Sequence, residues 1–359
     1  MLFPLVQSIL AKALLSPISL LYGLGVSFRN WTYRRGLQKS ISFSVPVISV
    51  GNLSVGGAGK TPHIEYLIRG LDPYLNIATL SRGYRRKTRG FLRVRPGMNA
   101  EEVGDEPLQY ARKFPEVVVT VAEERAFAIP EIMGQRPDTQ LILLDDAFQH
   151  RSVKPGLNIL LTEFSKPFTR DFLLPSGRLR EWRSGYERAD IIIVSKCPPT
   201  LDRATADALR DEIAPLPHQR VFFSYYDYAA PYYLLDHRYR LKMDGNVNML
   251  LISAIAGTDY LLQHLRGQSP LVQSLEFEDH HYFDRGDLGT LLLRFRELPG
   301  EHKAIITTEK DAMRLELHKA FIAQERLPVF VLPLAVRFHF GEGPEFDVLV
   351  RDFLLEFKA

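Results

Sequence analysis

A lysine and a threonine placed behind a run of glycines can grip a chain of phosphates, and Gly56, Gly57, Ala58, Gly59, Lys60 and Thr61 make such a run. With Ser54 and Val55 they form a loop whose glycines let backbone N–H groups close on phosphate oxygens. A helix starting at the end of the loop adds unpaired N–H groups and a partial positive charge. Lys60 then reaches the β- and γ-phosphates, and Thr61 holds a magnesium ion through its hydroxyl. The strict pattern has glycine where this chain has Ser54, but Gly56 and Gly57 preserve the flexibility, so the loop is a variant of it. A glycine-rich turn that binds nothing is the ordinary alternative, and a strand before the loop and a helix after it speak against that.

Other clusters also carry reactive groups. Asp145 and Asp146 close the apolar run Leu141-Ile142-Leu143-Leu144, where nucleotide hydrolases and kinases keep a strand-end acid. One carboxylate there binds magnesium directly or through water. Adjacent strand residues face opposite sides, so the two do not share an ion equally. Asp105 lies in Val103-Gly104-Asp105-Glu106-Pro107. Its carboxylate is placed either to accept a proton from a substrate hydroxyl or to cap a helix start. His280 and His281 follow Asp279 and could steer a proton, sit in a surface turn or bind zinc; no Cys or Glu pair lies near them to complete a zinc site. Arginines crowd two loop-like stretches, Arg82 to Arg95 and Arg178 to Arg188, and suit bidentate contacts with phosphate.

These groups need a scaffold that gathers loop ends. Val45 to Val50 reads as a strand and His63 to Ile68 as a helix start. Apolar runs at 76–80, 117–121, 141–144, 157–161 and 191–194 alternate with helical stretches, which predicts a mostly parallel sheet covered on both faces. Ligands then sit at the carboxyl ends of the strands, where each polar motif falls. The expected fold is therefore α/β and P-loop NTPase-like over 29–224, followed by an extended two-strand linker at 225–242. A smaller α/β domain with a terminal helix completes it over 243–359.

Met1 to Phe28 is mostly apolar, interrupted by Pro17 and Gly23, and Arg29, Trp31, Tyr33, Arg34 and Arg35 follow at once. This predicts an uncleaved membrane-inserting or interfacial helix with its basic side cytoplasmic. No small-residue cleavage site follows a basic start, so no signal peptide is expected. The chain has 359 residues and a net charge of +3, too small to argue for nucleic acid. Its single cysteine, Cys197, excludes an intramolecular disulfide and argues against a cysteine metal cluster.

The set GNLSVGGAGKTP (51–62), SRGY (81–84), GDEP (104–107), DDAFQH (145–150), LLPSGRLRE (173–181), DHH (279–281) and TTEKD (307–311) closely resembles the tetraacyldisaccharide 4′-kinase family of the Gram-negative lipid A pathway. The resemblance implies transfer of phosphate from ATP, with Mg²⁺, to the 4′-hydroxyl of a lipid A disaccharide 1-phosphate. It also implies work at the cytoplasmic face of the inner membrane. The small net charge and the apolar N-terminus favour an anionic amphiphile over nucleic acid, and no obligate protein partner is evident in the sequence. Carried over by motif, Asp105 accepts the hydroxyl proton and His280, rather than His281, assists it. Asp145, Asp146 and Thr61 face the metal. Tyr84, Arg125, His150, Arg180 and Glu181 line the substrate site. Ala147 stands where the family usually has glycine, so the turn after Asp146 is expected to differ. The rivals are a GTP-binding switch and a membrane-associated ATPase without an acceptor. Ser195-Lys196-Cys197-Pro198 lacks the acid of a guanine-selecting motif, and Thr308-Glu309-Lys310-Asp311 is out of register for it.

Overall fold

The strand Val47–Asn52 lies parallel between Leu141–Asp145 and Leu157–Glu163. The computed structural model describes residues 2–95 and 97–358, and the side chains of all of these but 2–11 and 13. Ile77–Ser81 and Val118–Val121 extend the sheet on one side, Ile191–Ser195 and Arg220–Tyr228 on the other, all parallel. Leu334–Phe338 lies beyond Arg220–Tyr228 in the strand order. Every residue of Val47–Asn52, Leu141–Asp145 and Ile191–Ser195 is buried, so both faces are covered and the apolar runs need no alternation. The expected P-loop NTPase-like, mostly parallel α/β fold is present. Val50 pairs with Asp145 in register, which sets the acidic strand end one strand away from the glycine loop.

The chain divides into two compact units: Met1–Arg82, Glu116–Tyr226 and Val336–Ala359 make the first, Gly83–Pro115 and Asp227–Ala335 the second. Boundaries drawn along the sequence at 224 and 242 do not follow this division. The terminal helix Gly343–Glu356 belongs to the first unit because its Phe346 ring sits edge-on to Phe222 and Tyr66, at 5.6 and 5.8 Å. Gly83–Pro115 belongs to the second, where the helix Asp105–Lys113 packs on Glu309–Leu315.

The second unit has its own sheet. Val272–Glu276, Asn248–Ser253, Lys303–Thr308 and Val329–Leu332 run parallel. Tyr232–Tyr233 and Asp236–Arg240 add antiparallel at its edge. The stretch expected as a linker is therefore edge strand in part, because extended backbone finds its hydrogen-bond partners there. Met249, Leu251, Leu265, Ala304 and Ile306 form part of its core.

The N-terminal helix runs Leu2–Arg34 as one element, with Pro17 inside it. Among the described residues no helix is long and apolar enough to cross a membrane. The helix is tied to the first unit by polar groups. Ser19 Oγ donates to Ser176 Oγ at 2.7 Å, and Trp182 Nε1 donates to Ser27 Oγ at 2.8 Å. A Cβ on Gly23 would fall 2.5 Å from the Trp182 ring, so the close approach requires glycine. Leu14, Ile18, Leu21, Leu24 and Phe28 stay exposed.

Candidate active site

The glycine loop leaves the strand Val47–Asn52 and enters the helix Lys60–Leu71. Its first half is held by the segment around Arg178. Val55 N donates to Arg178 O and Arg180 N to Leu53 O, each at 2.7 Å, and Ser54 bridges Leu179 antiparallel. Ser54 thus sits in extended pairing, where a side chain is tolerated and glycine has no advantage. Gly59 differs, with φ +84° and a Cβ that would meet the Tyr226 hydroxyl at 2.2 Å. Alanine there forces strain of about 1–3 kcal/mol or moves the loop. Gly59→Ala is expected to weaken binding of a nucleoside triphosphate ~10–100-fold, read by titration calorimetry. Unchanged affinity would take this turn out of phosphate binding. His63 backs the turn: Nδ1 lies 2.7 Å from Gly59 O and Nε2 3.0 Å from Ser224 Oγ. Burial pushes its pKa down to about 4 despite the Gly59 carbonyl, so it stays neutral.

Around the loop the expected site residues of the first unit are brought together. Lys60 Nζ lies 3.4 Å from Asn52 Oδ1 and 3.6 Å from Asp146 Oδ1. Arg180 Nη1 donates to both Asp146 oxygens, at 2.9 and 3.1 Å. Burial alone would raise the Asp146 pKa, but Lys60 and Arg180 outweigh it and set it at about 2. That carboxyl is still a third exposed, so solvent screens these pairs. Asp145 is buried in the strand, and its carbonyl accepts from Arg125 at 3.3 Å. The two acids therefore have different surroundings. Asp146 takes the positive φ of the turn, +49°, and Ala147 takes none. Aspartate tolerates that region, and alanine at 147 has a backbone conformation it adopts without strain. Burial and then the charge of Arg125 push the His150 pKa down to about 4.

Glu181 is buried and accepts from Arg188 at 2.8 Å and from Gln149 Nε2 at 3.2 Å. Gln149 also donates to Asn52 O at 2.8 Å and accepts from Arg180 at 3.3 Å. It thus joins the phosphate loop, the acidic turn and the arginine loop. Gln149 and Asn52 lay inside the recognised motifs, but nothing in local spacing distinguishes a bridging amide from a surface one.

Asp105, His280 and Tyr84 come together in the second unit. His280 Nδ1 lies 2.9 Å from Asp105 Oδ2, and the Tyr84 ring is centred 4.7 Å from the imidazole. Asp105 opens the helix Asp105–Lys113, and its Oδ1 accepts from Glu106 N at 2.9 Å. The residue capping this helix is Gly104, not Asp105, which stands one place inside it; one Asp105 oxygen receives Glu106 N and the other faces His280. Burial alone would raise the Asp105 pKa, yet Lys310, the His280 hydrogen bond and Arg314 hold it well below the usual carboxylate range. His281 is engaged elsewhere: Nε2 lies 2.7 Å from Asp287 Oδ2, in the capping box of the helix Arg285–Glu297. Among the described residues there is no group of three or more His, Cys, Asp or Glu arranged to hold a metal.

A family model described as Tetraacyldisaccharide-1-P 4'-kinase matches residues 11–354. The Tetraacyldisaccharide 4'-kinase of Bacteroides thetaiotaomicron is 41% identical over 346 residues, covering 93% of this chain and 90% of that one. The protein of the same name in Flavobacterium johnsoniae is 41% identical over 347 residues, covering 97% and 98%. The crystal structure of LpxK from Aquifex aeolicus in complex with ATP matches with a TM-score of 0.71 at 27% identity, over 96% of this chain and 99% of that one. The match thus takes in both units and every motif from the glycine loop to TTEKD. The chain belongs to the tetraacyldisaccharide-1-P 4'-kinase family.

Proposed function

We propose that this protein transfers the γ-phosphoryl group of ATP to the 4′-hydroxyl of a tetraacylated glucosamine disaccharide 1-phosphate. The observation that carries the reading is the buried Asp105 carboxylate, kept ionised and hydrogen-bonded to His280, in a chain of this family. An acid with a depressed pKa is a weak base. The reaction tolerates this, because bonding to the attacking oxygen lags in a loose transition state and its proton can leave late. Asp105 orients the hydroxyl and takes that proton as the new P–O bond forms and the β–γ bridge bond breaks. Lys60, the Gly59 turn and the helix N-terminus hold the nucleotide phosphates. Tyr84, His150 and Arg180 are substrate- or site-lining positions, and the buried Arg125 and Glu181 support the site from behind.

Thr61, Asp145 and Asp146 offer oxygen donors alone, the set that suits a hard cation such as Mg²⁺. When bound, Mg²⁺ neutralises charge on the phosphate oxygens. Thr61→Ala is expected to raise the Mg²⁺ concentration that half-saturates ATP binding ~10-fold or more. An unchanged Mg²⁺ response would remove Thr61 from the metal.

The protein works at the cytoplasmic face of the inner membrane. The exposed Leu14, Ile18, Leu21, Leu24 and Phe28 support an interfacial seat for the N-terminal helix, and Arg29, Arg34 and Arg35 beside them favour anionic headgroups. Incubation with γ-labelled ATP, Mg²⁺ and a lipid A disaccharide 1-phosphate tests the whole reading. Label at the 4′ position is expected. Release as free phosphate regardless of lipid, or preference for GTP, overturns it.

A further inference from the structure

His280 has two ring nitrogens, and the proposed role uses one. Nδ1 faces Asp105, while Nε2 lies 3.0 Å from Lys310 Nζ. We propose that Lys310 is a positioning residue for phosphoryl transfer: by donating to His280 Nε2 it fixes the imidazole as the tautomer whose Nδ1–H donates to Asp105. The inference rests on the reading of Asp105 as the proton acceptor.

The assignment follows from donor and acceptor chemistry. An ammonium has only donors, so Nε2 in contact with it must offer its lone pair. A neutral imidazole with a bare Nε2 carries its proton on Nδ1, and an ionised carboxylate can only accept that proton. Lys310 stays charged because Glu106 Oε1 and Asp279 Oδ1 lie 3.3 and 3.5 Å from its nitrogen. Burial alone would lower its pKa; Glu106, Asp105 and Asp279 outweigh this and raise it above the usual lysine range.

The alternative state is close at hand. Asp279 Oδ2 lies 3.8 Å from the same Nε2. Without the lysine, Asp279 can claim a proton on that nitrogen. A neutral ring protonated there turns its Nδ1 lone pair on the Asp105 carboxylate. Lys310 thus keeps one of two competing acids, Asp279, off the ring while leaving the other, Asp105, on it.

Helix energetics do not explain a lysine at this position. Lys310 is in the first turn of the helix Glu309–Leu315, where the dipole disfavours a cation. The backbone of His280 is held equally firmly. It has φ +60°, its N–H donates to Ala254 O at 3.0 Å, and its carbonyl accepts from Arg85 at 2.8 Å. Such a conformation persists in a bulky residue only where its surroundings over-determine it. With the backbone pinned by Ala254 and Arg85, Lys310 sets where the ring proton resides.

NMR of the full chain with isotope-labelled histidine tests this directly. The His280 signals are identified by their loss in His280→Gln. At neutral pH the unsubstituted protein is expected to show Nδ1 protonated and Nε2 bare. Lys310→Met, which keeps the aliphatic stem, is expected to move a proton onto Nε2 and to lower kcat ~10–100-fold, with the KM for ATP unchanged. Lys310→Arg, which keeps a donor, is expected to restore the tautomer and part of the rate. A protonated Nε2 in the unsubstituted protein overturns the proposal, and needs no variant to fold. So does a Lys310→Met protein with full turnover and an unmoved proton. Asp105→Asn separates the two claims: if it abolishes turnover while Lys310→Met does not, only the lysine assignment fails. If Asp105→Asn keeps turnover, the reading beneath it fails as well.

Discussion

Asp105→Asn is expected to lower kcat by ~10²–10⁴, the usual share of a general base, and to leave ATP affinity within about twofold. Asparagine matches the carboxylate in shape and cannot take a proton. Its amide also cannot satisfy both neighbours. In the native site Oδ1 accepts from Glu106 N and Oδ2 from His280 Nδ1, so both positions require an acceptor. The amide nitrogen must face one of these donors, at a local cost of about 1–3 kcal/mol. A thermal melt of the variant separates this from the kinetic loss. Nucleotide affinity is spared because Lys60 and the Gly59 turn belong to the other unit. Steady-state kinetics with lipid acceptor and calorimetry with ATP check both halves. Normal turnover would leave Asp105 a helix-start residue and nothing more.

The largest stability effect is expected at Arg314. Its side chain is fully buried and donates to Asp311, to Ala254 O at 3.1 Å and to His281 O at 3.0 Å. Asp311 is buried as well and accepts from Ala254 N, Ser253 Oγ and Thr308 Oγ1. Burial raises the Asp311 pKa against the pull of Arg314 and Thr308, so this charge is tolerated only through its partners. Arg314→Met strands it and is expected to cost about 3–5 kcal/mol. Arg314→Met combined with Asp311→Asn is expected to cost less than Arg314→Met alone, since no unpaired charge is then left inside. Urea unfolding of the full chain measures both. Equal losses in the single and double variants would mean that the pair carries packing and little electrostatics. Because Ala254 O also accepts from His280 N, Arg314→Met is expected to loosen the histidine loop and slow turnover in the surviving folded fraction.

Much of the nucleotide side was legible in the residue order. The glycine loop, Lys60, Thr61 and the acids at Asp145 and Asp146 lie within a few residues of the strands that present them. Apolar runs with no alternation announced a sheet buried on both faces. The acceptor side was legible only as motifs. Asp105 and His280 are 175 positions apart, and chemistry left each with an ordinary explanation. The family motif singles out His280, and the folded second unit supplies a physical reason, giving His281 to a helix cap and His280 to the acid.

Lys310 and Gln149 show the same limit at the level of single groups. Both stand inside recognised motifs, yet what they do depends on partners from distant segments: a ring nitrogen for the lysine, and for the glutamine a strand-end carbonyl and a buried carboxylate. Local order thus decided which strands and loops exist and what reactive groups they carry, because backbone periodicity and glycine freedom act over a few residues. The pairing of Asp105 with His280, the approach of Lys310 to the other ring nitrogen and the return of the terminal helix to the first sheet came from the fold. Hydrogen bonds and desolvation depend on distances in space, and a chain brings residues far apart in order into contact only when it packs.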